Sequence, residues 1–179
     1  MSAEPLITLS RVEAASEETA GVGVLRDVSW RIGEGEWWAV CGESASGKSA
    51  LLAAAAGLIL PLQGEVRLLG LDPAAASDRA YHDDLDAAEA RRRALDLLAL
   101  AGLESLVDVH PLRLPSSVQR RVALLRALAA PLRVLFLDDP LRGLAPRDVE
   151  WWIGFLRGLR AQRAAAGEPL TLVTSGTDP

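Results

Sequence analysis

The sequence has very little of the residues on which disulfide scaffolds and metal sites depend, since its 179 residues include one cysteine and two histidines. Cys41 has no partner for a disulfide, which excludes a bridge-stapled secreted fold and favours a reducing compartment. His82 and His110 stand apart from any second ligand, so we expect no metal site at either. The net charge of −5 argues against bulk electrostatic binding of nucleic acid, and no nucleic-acid partner is expected.

Long hydrophobic runs are also missing. The longest uncharged one, Ala50–Leu62, has 13 residues, fewer than the roughly 18 to 20 that cross a bilayer, and it predicts a buried helix instead. Met1–Ser10 lacks the basic and apolar segments of a signal peptide. We therefore expect a cytoplasmic protein that reaches a membrane only through a partner.

Half of the residues are hydrophobic, and short apolar segments alternate with helical patterns along the chain. This alternation predicts an α/β fold with a mostly parallel sheet flanked by helices. We expect one domain over 1–179, with a shortened helical insert at about 73–115, where no strand pattern occurs. The predicted strands are Leu6–Leu9, Val24–Ile32, Trp37–Cys41, Val66–Leu69, Val134–Leu137 and Leu170–Thr174, and the predicted helices are Ser49–Leu60, Asp84–Ala101, Ser116–Ala129 and Val149–Arg163.

One segment matches the phosphate-loop pattern GxxxxGK[ST] in full and lies between a predicted strand and a predicted helix. Its glycines would allow close backbone approach to phosphate, and its lysine, the only one in the chain, would reach the β and γ phosphates. The serine that follows would ligate Mg²⁺. The eight residues are Gly42, Glu43, Ser44, Ala45, Ser46, Gly47, Lys48 and Ser49.

A second acidic element follows the apolar strand Val134–Leu137. A buried strand that ends in aspartate beside a phosphate loop can hold the shell of Mg²⁺. Asp138 is therefore the second candidate metal ligand, after Ser49.

At this point the sequence resembles the ATP-binding subunits of ABC transporters over nearly its whole length. The resemblance rests on the order of four features: the phosphate loop, the helix with Arg120–Leu128, the acidic Asp138-Asp139-Pro140, and Gly143-Leu144. It implies a P-loop NTPase core with an N-terminal antiparallel β part and a reduced helical subdomain. It also implies ATP and Mg²⁺ as cofactors, a transmembrane permease as partner, and pairing as a homodimer or with another ATPase subunit.

The resemblance also identifies positions that depart from the family. The signature LSGGQ reads Leu114-Pro115-Ser116-Ser117-Val118 here, so the serine hydroxyl and the glycines are replaced. The catalytic glutamate is replaced by Asp139, one methylene shorter, and the switch histidine by Ser175. These changes predict impaired hydrolysis.

Two further family elements have no clear counterpart. No aromatic residue falls near Ala14–Glu17 to stack on adenine, and no glutamine lies between the Val66 strand and the signature helix. Tyr81–Asp84 is a candidate remnant of the glutamine loop. The short middle of the chain predicts poor coupling to a permease.

Three function classes follow from these observations. The leading one is an ATP-binding transporter subunit with weak or absent hydrolysis. The second is a non-catalytic nucleotide-binding or regulatory protein that kept the fold. The third is a small P-loop kinase, which the Asp-Asp-Pro segment in ABC register disfavours.

Other residues receive structural interpretations. We expect Cys41 to be a small buried hydrophobe and each tryptophan pair, 37–38 and 151–152, to place one ring in the core. The arginines at 91–93 and 120–121 are expected to form solvated helix faces.

Overall fold

A computed structural model describes residues 4–15, 23–70 and 87–176. They form two compact units, which are the described residues of Met1–Ala80, Arg133–Arg142 and Arg160–Pro179 in the first unit and those of Tyr81–Leu132 and Gly143–Leu159 in the second. The elements are β1 (Ile7–Ala15), β2 (Gly23–Ile32), β3 (Trp37–Cys41), α1 (Lys48–Ala55), β4 (Gln63–Leu68), α2 (Ala87–Leu100), α3 (Ser116–Leu128), β5 (Val134–Leu137), α4 (Pro146–Ala165) and β6 (Thr171–Gly176).

The first unit contains an antiparallel sheet of order β2-β1-β4. The register of β1 shifts after Leu9 against β2 and after Ser10 against β4, and Arg11 there has a φ of 49°. A Cβ on Gly64 of β4 would lie 2.2 Å from the Arg11 carbonyl oxygen, so only glycine lets the two strands meet at this irregularity. This confirms the expected N-terminal antiparallel part.

A parallel sheet of order β3-β6-β5 forms the rest of the β structure in this unit. Val40 lies opposite Ser175 and Leu137 lies opposite Thr174, so the three strands end at one edge of the sheet. Helix α1 packs with residues of both sheets around Leu52, Val66 and Val173, which are nearly or fully buried. The expected P-loop core is confirmed.

The predicted helix Ser49–Leu60 ends early, at Ala55, because Gly57 takes a φ of 72° and closes a Schellman turn. In that turn the Gly57 and Leu58 N–H groups donate to the carbonyls of Ala54 and Ala53. Leu58, Leu60 and Leu62 are 77, 65 and 65 % exposed. The expectation of a buried helix over 50–62 was therefore wrong in its second half.

In the second unit, α2 and α3 pack around Ala101, Leu103 and Leu125. Arg121 of α3 does not lie on a solvated face, as expected from its sequence. Its guanidinium lies 2.6 Å from the Asp148 carboxylate and 4.0 Å from the Trp151 ring centre. Of the second tryptophan pair, Trp152 is buried and Trp151 stacks on Phe155.

Cys41 is exposed, contrary to the expectation of a buried residue. Side chains alternate across β3, so Val40 packs against the core while Ala39 and Cys41 face the opposite side. In the first tryptophan pair Trp37 is half-buried and Trp38 is exposed. The Trp38 indole N–H donates to the Glu36 carboxylate, and this bond together with one to Gly33 lowers the pKa of Glu36.

None of the helices that the structure describes combines the length and apolar character needed to cross a bilayer.

Candidate nucleotide-binding site

The phosphate loop follows β3 directly, and its last two residues, Lys48 and Ser49, open α1, which begins one residue earlier than the sequence predicted. Gly42 has a φ of 156° and Gly47 one of 90°, and Ala45 between them has a φ of 61°. A Cβ at position 47 would also lie 2.9 Å from the Val24 side chain. Both conformation and space therefore require glycine before the helix, where the loop must curl back over its own N–H groups.

Lys48 bends back over this loop. Its Nζ donates to the carbonyl oxygens of Gly42 at 2.8 Å and Glu43 at 2.5 Å, and it lies 3.4 Å from the Ser46 Oγ. The ammonium group is thus already held above the turn by backbone carbonyls. Ser49 is exposed in the first turn of α1, where its hydroxyl is accessible to a metal ion.

The sheet brings Asp138, Asp139 and Ser175 together at its carboxyl edge. Ser175, near the end of β6, donates its hydroxyl proton to Oδ1 of Asp138 at 2.5 Å and accepts the N–H of Asp139 at 2.8 Å. Because β6 lies between β3 and β5, Ser175 is roughly one strand spacing, about 5 Å, from β3, whereas Asp138 and Asp139 follow a strand that is roughly two spacings, about 10 Å, from β3.

Asp139 sits at the turn that follows β5 with a φ of 46°. Non-glycine residues pay about 1–2 kcal/mol for this left-handed conformation, although aspartate tolerates it better than most. Its carboxylate is 3.9 Å from the Arg142 guanidinium. The turn therefore fixes where the carboxylate leaves the backbone, and the short side chain determines how far it reaches.

The signature residues Ser116 and Ser117 lie in the second unit, at the first turn of α3. Pro115 caps this helix in an extended conformation and makes no side-chain cap hydrogen bond. The Gln119 amide donates to the Leu114 carbonyl at 2.9 Å. Ser116 is exposed and Ser117 half-buried.

Two expectations fall wholly or partly outside the described residues. The candidate glutamine-loop remnant Tyr81–Asp84, with His82, lies outside them, and so do Ser16 and Glu17 of the segment where an adenine-stacking aromatic was sought. Ala14 in that segment is buried. His110 is exposed and its Nδ1 accepts the Leu112 N–H, a capping contact.

Sequence reasoning missed the bonds that Ser175 makes. The only signal was the hydroxyl itself at the end of an apolar strand, and its partners lie 36 and 37 residues away in sequence. Strand pairing, which no local pattern encodes, brings them together.

The model of the ABC transporter family matches residues 25–91, which include the whole phosphate loop. Among characterised relatives, the energy-coupling factor transporter ATP-binding protein EcfA2 of Symbiobacterium thermophilum is 32 % identical over 189 residues, covering 86 % of this chain and 63 % of the relative. The ribose import ATP-binding protein RbsA 2 of Rhizobium etli is 30 % identical, covering 89 % of this chain and 37 % of the relative. The chain is therefore similar to the ATP-binding proteins of ABC transporters over most of its length.

Solved structures of ABC transporter cassettes share the fold of this chain. One is cbiO1 from Clostridium perfringens, part of an ABC transporter complex, with a TM-score of 0.81 at 19 % identity. The match covers 98 % of this chain and 80 % of the cbiO1 chain. The dimeric bacterial cassette MJ0796 has a TM-score of 0.73 at 25 % identity, and the match covers 94 % of this chain and 87 % of the MJ0796 chain. This chain spans 37 to 63 % of the length of the first three curated relatives.

Proposed function

We propose that this chain is the ATP-binding subunit of an ABC-type transporter and binds Mg-ATP through residues 42–49. The observation that carries the proposal is the geometry of the phosphate loop. Two glycines at positive φ turn the backbone over the N-terminus of α1, and Lys48 is held above it. Converging N–H groups, a helix N-terminus and an ammonium group suit a chain of phosphates.

Ser49 and Asp138 would hold Mg²⁺, because a hydroxyl and a carboxylate are the hard oxygen donors that this ion prefers. The described part of the chain has no group of three or more His, Cys, Asp or Glu side chains able to hold a metal. The pair of Ser49 and Asp138 fits an ion that takes its other ligands from water and substrate phosphates. When bound, the ion would neutralise phosphate charge.

We further propose that hydrolysis is impaired, on three observations. The Asp139 carboxylate is one methylene shorter than the family's glutamate and starts from a backbone fixed at a φ of 46°. The Ser175 hydroxyl is occupied by Asp138 and by the Asp139 N–H. Pro115, where the family has the signature serine, offers neither hydroxyl nor N–H.

Binding is tested by titrating the purified protein with a fluorescent ATP analogue in the presence of Mg²⁺. Lys48→Ala should weaken binding roughly 10- to 100-fold, the value of a charge-assisted hydrogen bond. Arg31→Ala is the matched control, since it removes an exposed cation of β2. Arg31 lies seven residues, or roughly 23 Å, along β2 from Val24, which is the residue of that strand that approaches Gly47. Equal affinity in wild type and Lys48→Ala would contradict the proposal.

Impaired hydrolysis is tested by phosphate release from Mg-ATP. Asp139→Glu should raise the rate by roughly 10-fold, because a catalytic group misplaced by about 1 Å costs around 10². Asp138→Glu is the matched control, since the same lengthening one residue earlier breaks the bond to Ser175 and should lower the rate. A wild-type rate equal to that of complete cassettes would refute the impairment.

We propose that the chain works at a membrane through a permease subunit, as a homodimer or with another ATPase subunit. Support comes from the exposed leucines 58, 60 and 62, since exposed apolar patches mark protein contacts. Purification of the tagged chain from solubilised membranes should recover a multi-span protein, and Leu58→Ser with Leu60→Ser should reduce the recovery. A chain recovered alone that still binds ATP would instead support a non-catalytic nucleotide-binding role.

A further inference from the structure

Ser175 occupies a buried position at the centre of the candidate site. It is 6 % exposed and lies in the middle strand of the parallel sheet, opposite Val40 of β3. Its Oγ is hydrogen-bonded to both acidic residues that follow β5. The Ser175 side chain thus links β6, the strand beside β3, to the two carboxylate residues that follow β5.

One of the two bonds uses the hydroxyl as a donor. A serine hydroxyl has a single proton to donate, and Ser175 Oγ donates it to Asp138 Oδ1, 2.5 Å away. Asp138 is itself exposed, so its carboxylate is accessible to a metal ion or its water.

The second bond acts on the backbone. By accepting the Asp139 N–H at 2.8 Å, Ser175 holds the turn in which Asp139 has a φ of 46°. A strained residue of this kind persists only where its surroundings fix it. The same hydroxyl therefore sets the orientation of one carboxylate and the starting direction of the next.

We propose that Ser175 is a positioning residue of the metal-nucleotide site, holding the Asp138 carboxylate toward Mg²⁺ and the Asp139 turn in place. It does not act as a phosphate ligand, because its proton is committed to Asp138. This inference rests on the proposed binding of Mg-ATP. Where the family has a charged switch histidine, this chain has Ser175, which forms a neutral, buried link between two strands.

The experiment measures the affinity for a fluorescent ATP analogue with Mg²⁺ and again with EDTA. Partners that orient a metal ligand are worth roughly 10- to 100-fold in metal affinity, so Ser175→Ala should reduce the Mg²⁺-dependent gain by roughly tenfold and leave the affinity in EDTA unchanged. Ser175→Thr keeps the hydroxyl and should retain the gain. Thr174→Val is the matched control, since the Thr174 hydroxyl on the same strand donates to the Trp38 carbonyl instead.

The outcomes separate the two proposals. A Ser175→Ala protein that melts earlier but keeps the wild-type ratio of affinities has lost only stability, and the positioning role is then wrong. A wild-type protein that binds no nucleotide under either condition overturns both the proposed function and this inference. If Ser175→Ala does not fold, hydrogen exchange of the Asp139 amide is measured in the wild type instead. We expect this amide to be protected, and exchange at the rate of an unfolded chain would overturn its hydrogen bond to Ser175.

Discussion

Two helix N-termini in this protein correspond to elements that the family directs at phosphates, and they differ in construction. Helix α1 is preceded by Gly47 at a φ of 90°, whereas α3 is preceded by Pro115 at a φ of −55° and a ψ of 149°. Both helices carry the partial positive charge of their N-termini. At α1 the loop before the helix also turns back on itself, with the Ser46 N–H donating to the Glu43 carbonyl.

The difference shows that a helix dipole does not by itself make a phosphate site. At α1 the glycines allow close approach and Lys48 adds a charge. At α3 the proline has no N–H to offer, and the serines at 116 and 117 add side chains where the family has glycines. We therefore expect phosphate to bind at α1 and contact through α3 to be weak.

The largest expected effect is at Gly47. Gly47→Ala should lower nucleotide affinity roughly 100-fold, because the Cβ meets Val24 at 2.9 Å and the residue must keep a positive φ. The measurement is the titration with the fluorescent ATP analogue and Mg²⁺.

Gly70→Ala is the control for this change. Gly70 has a φ of 74° but no atom within 4 Å of the added Cβ, so the substitution brings the same backbone strain without the overlap. Nucleotide affinity should stay at the wild-type value. An equal loss at both positions would mean that the Gly47 effect reflects general strain and not the shape of the loop.

A smaller effect is expected where α3 is anchored. Arg121→Ala should lower the free energy of unfolding by about 2–3 kcal/mol, because it strands the largely buried Asp148 and removes the cation from the Trp151 ring. Arg133→Ala breaks an exposed pair with Glu34 and should cost at most about 0.5 kcal/mol. Denaturant unfolding distinguishes the two, and nucleotide affinity should not change in either.

The smallest effect is expected at the cap of α3. Pro115→Ser supplies a side-chain oxygen for the N–H groups of the first turn and should stabilise the protein by about 0.5 kcal/mol, since the loss of proline rigidity offsets part of the capping gain. Thermal unfolding measures the change. A tenfold rise in ATP hydrolysis in the same variant would show that Pro115 alone disables this helix end, and the contrast with α1 would then reduce to one residue.

The strands and helices were largely predictable from the sequence. β3 has the predicted bounds, as does β5, because a short apolar run with clear flanks has few alternative structures. The end of α1 was wrong because the apolar run continued past Gly57, which stops the helix by its conformation. A glycine follows α2 and α4 in the same way, at 102 and 167, so the rule for helix ends was available in the sequence.

Exposure and long-range partners were predictable only in part. Cys41 was expected to be a small buried residue at the end of an apolar strand, but strand alternation places it on the side away from the core. Arg121 was expected in solvent because of its charge, yet it lies against Trp151 with Asp148 as partner. The position of Arg121 could not be read from its neighbours in sequence, since its partners lie on another helix.

By itself the sequence determined the phosphate loop, because Gly42, Gly47 and Lys48 act within eight consecutive residues whose geometry depends on local backbone freedom. It also placed an acidic pair at the end of a strand. Only the tertiary structure decided what Ser175 does, because its hydroxyl meets Asp138 and Asp139 through the pairing of β6 with β5. The shape of a loop depends on the backbone torsions of consecutive residues, whereas a hydrogen bond between strands exists only after the sheet has formed.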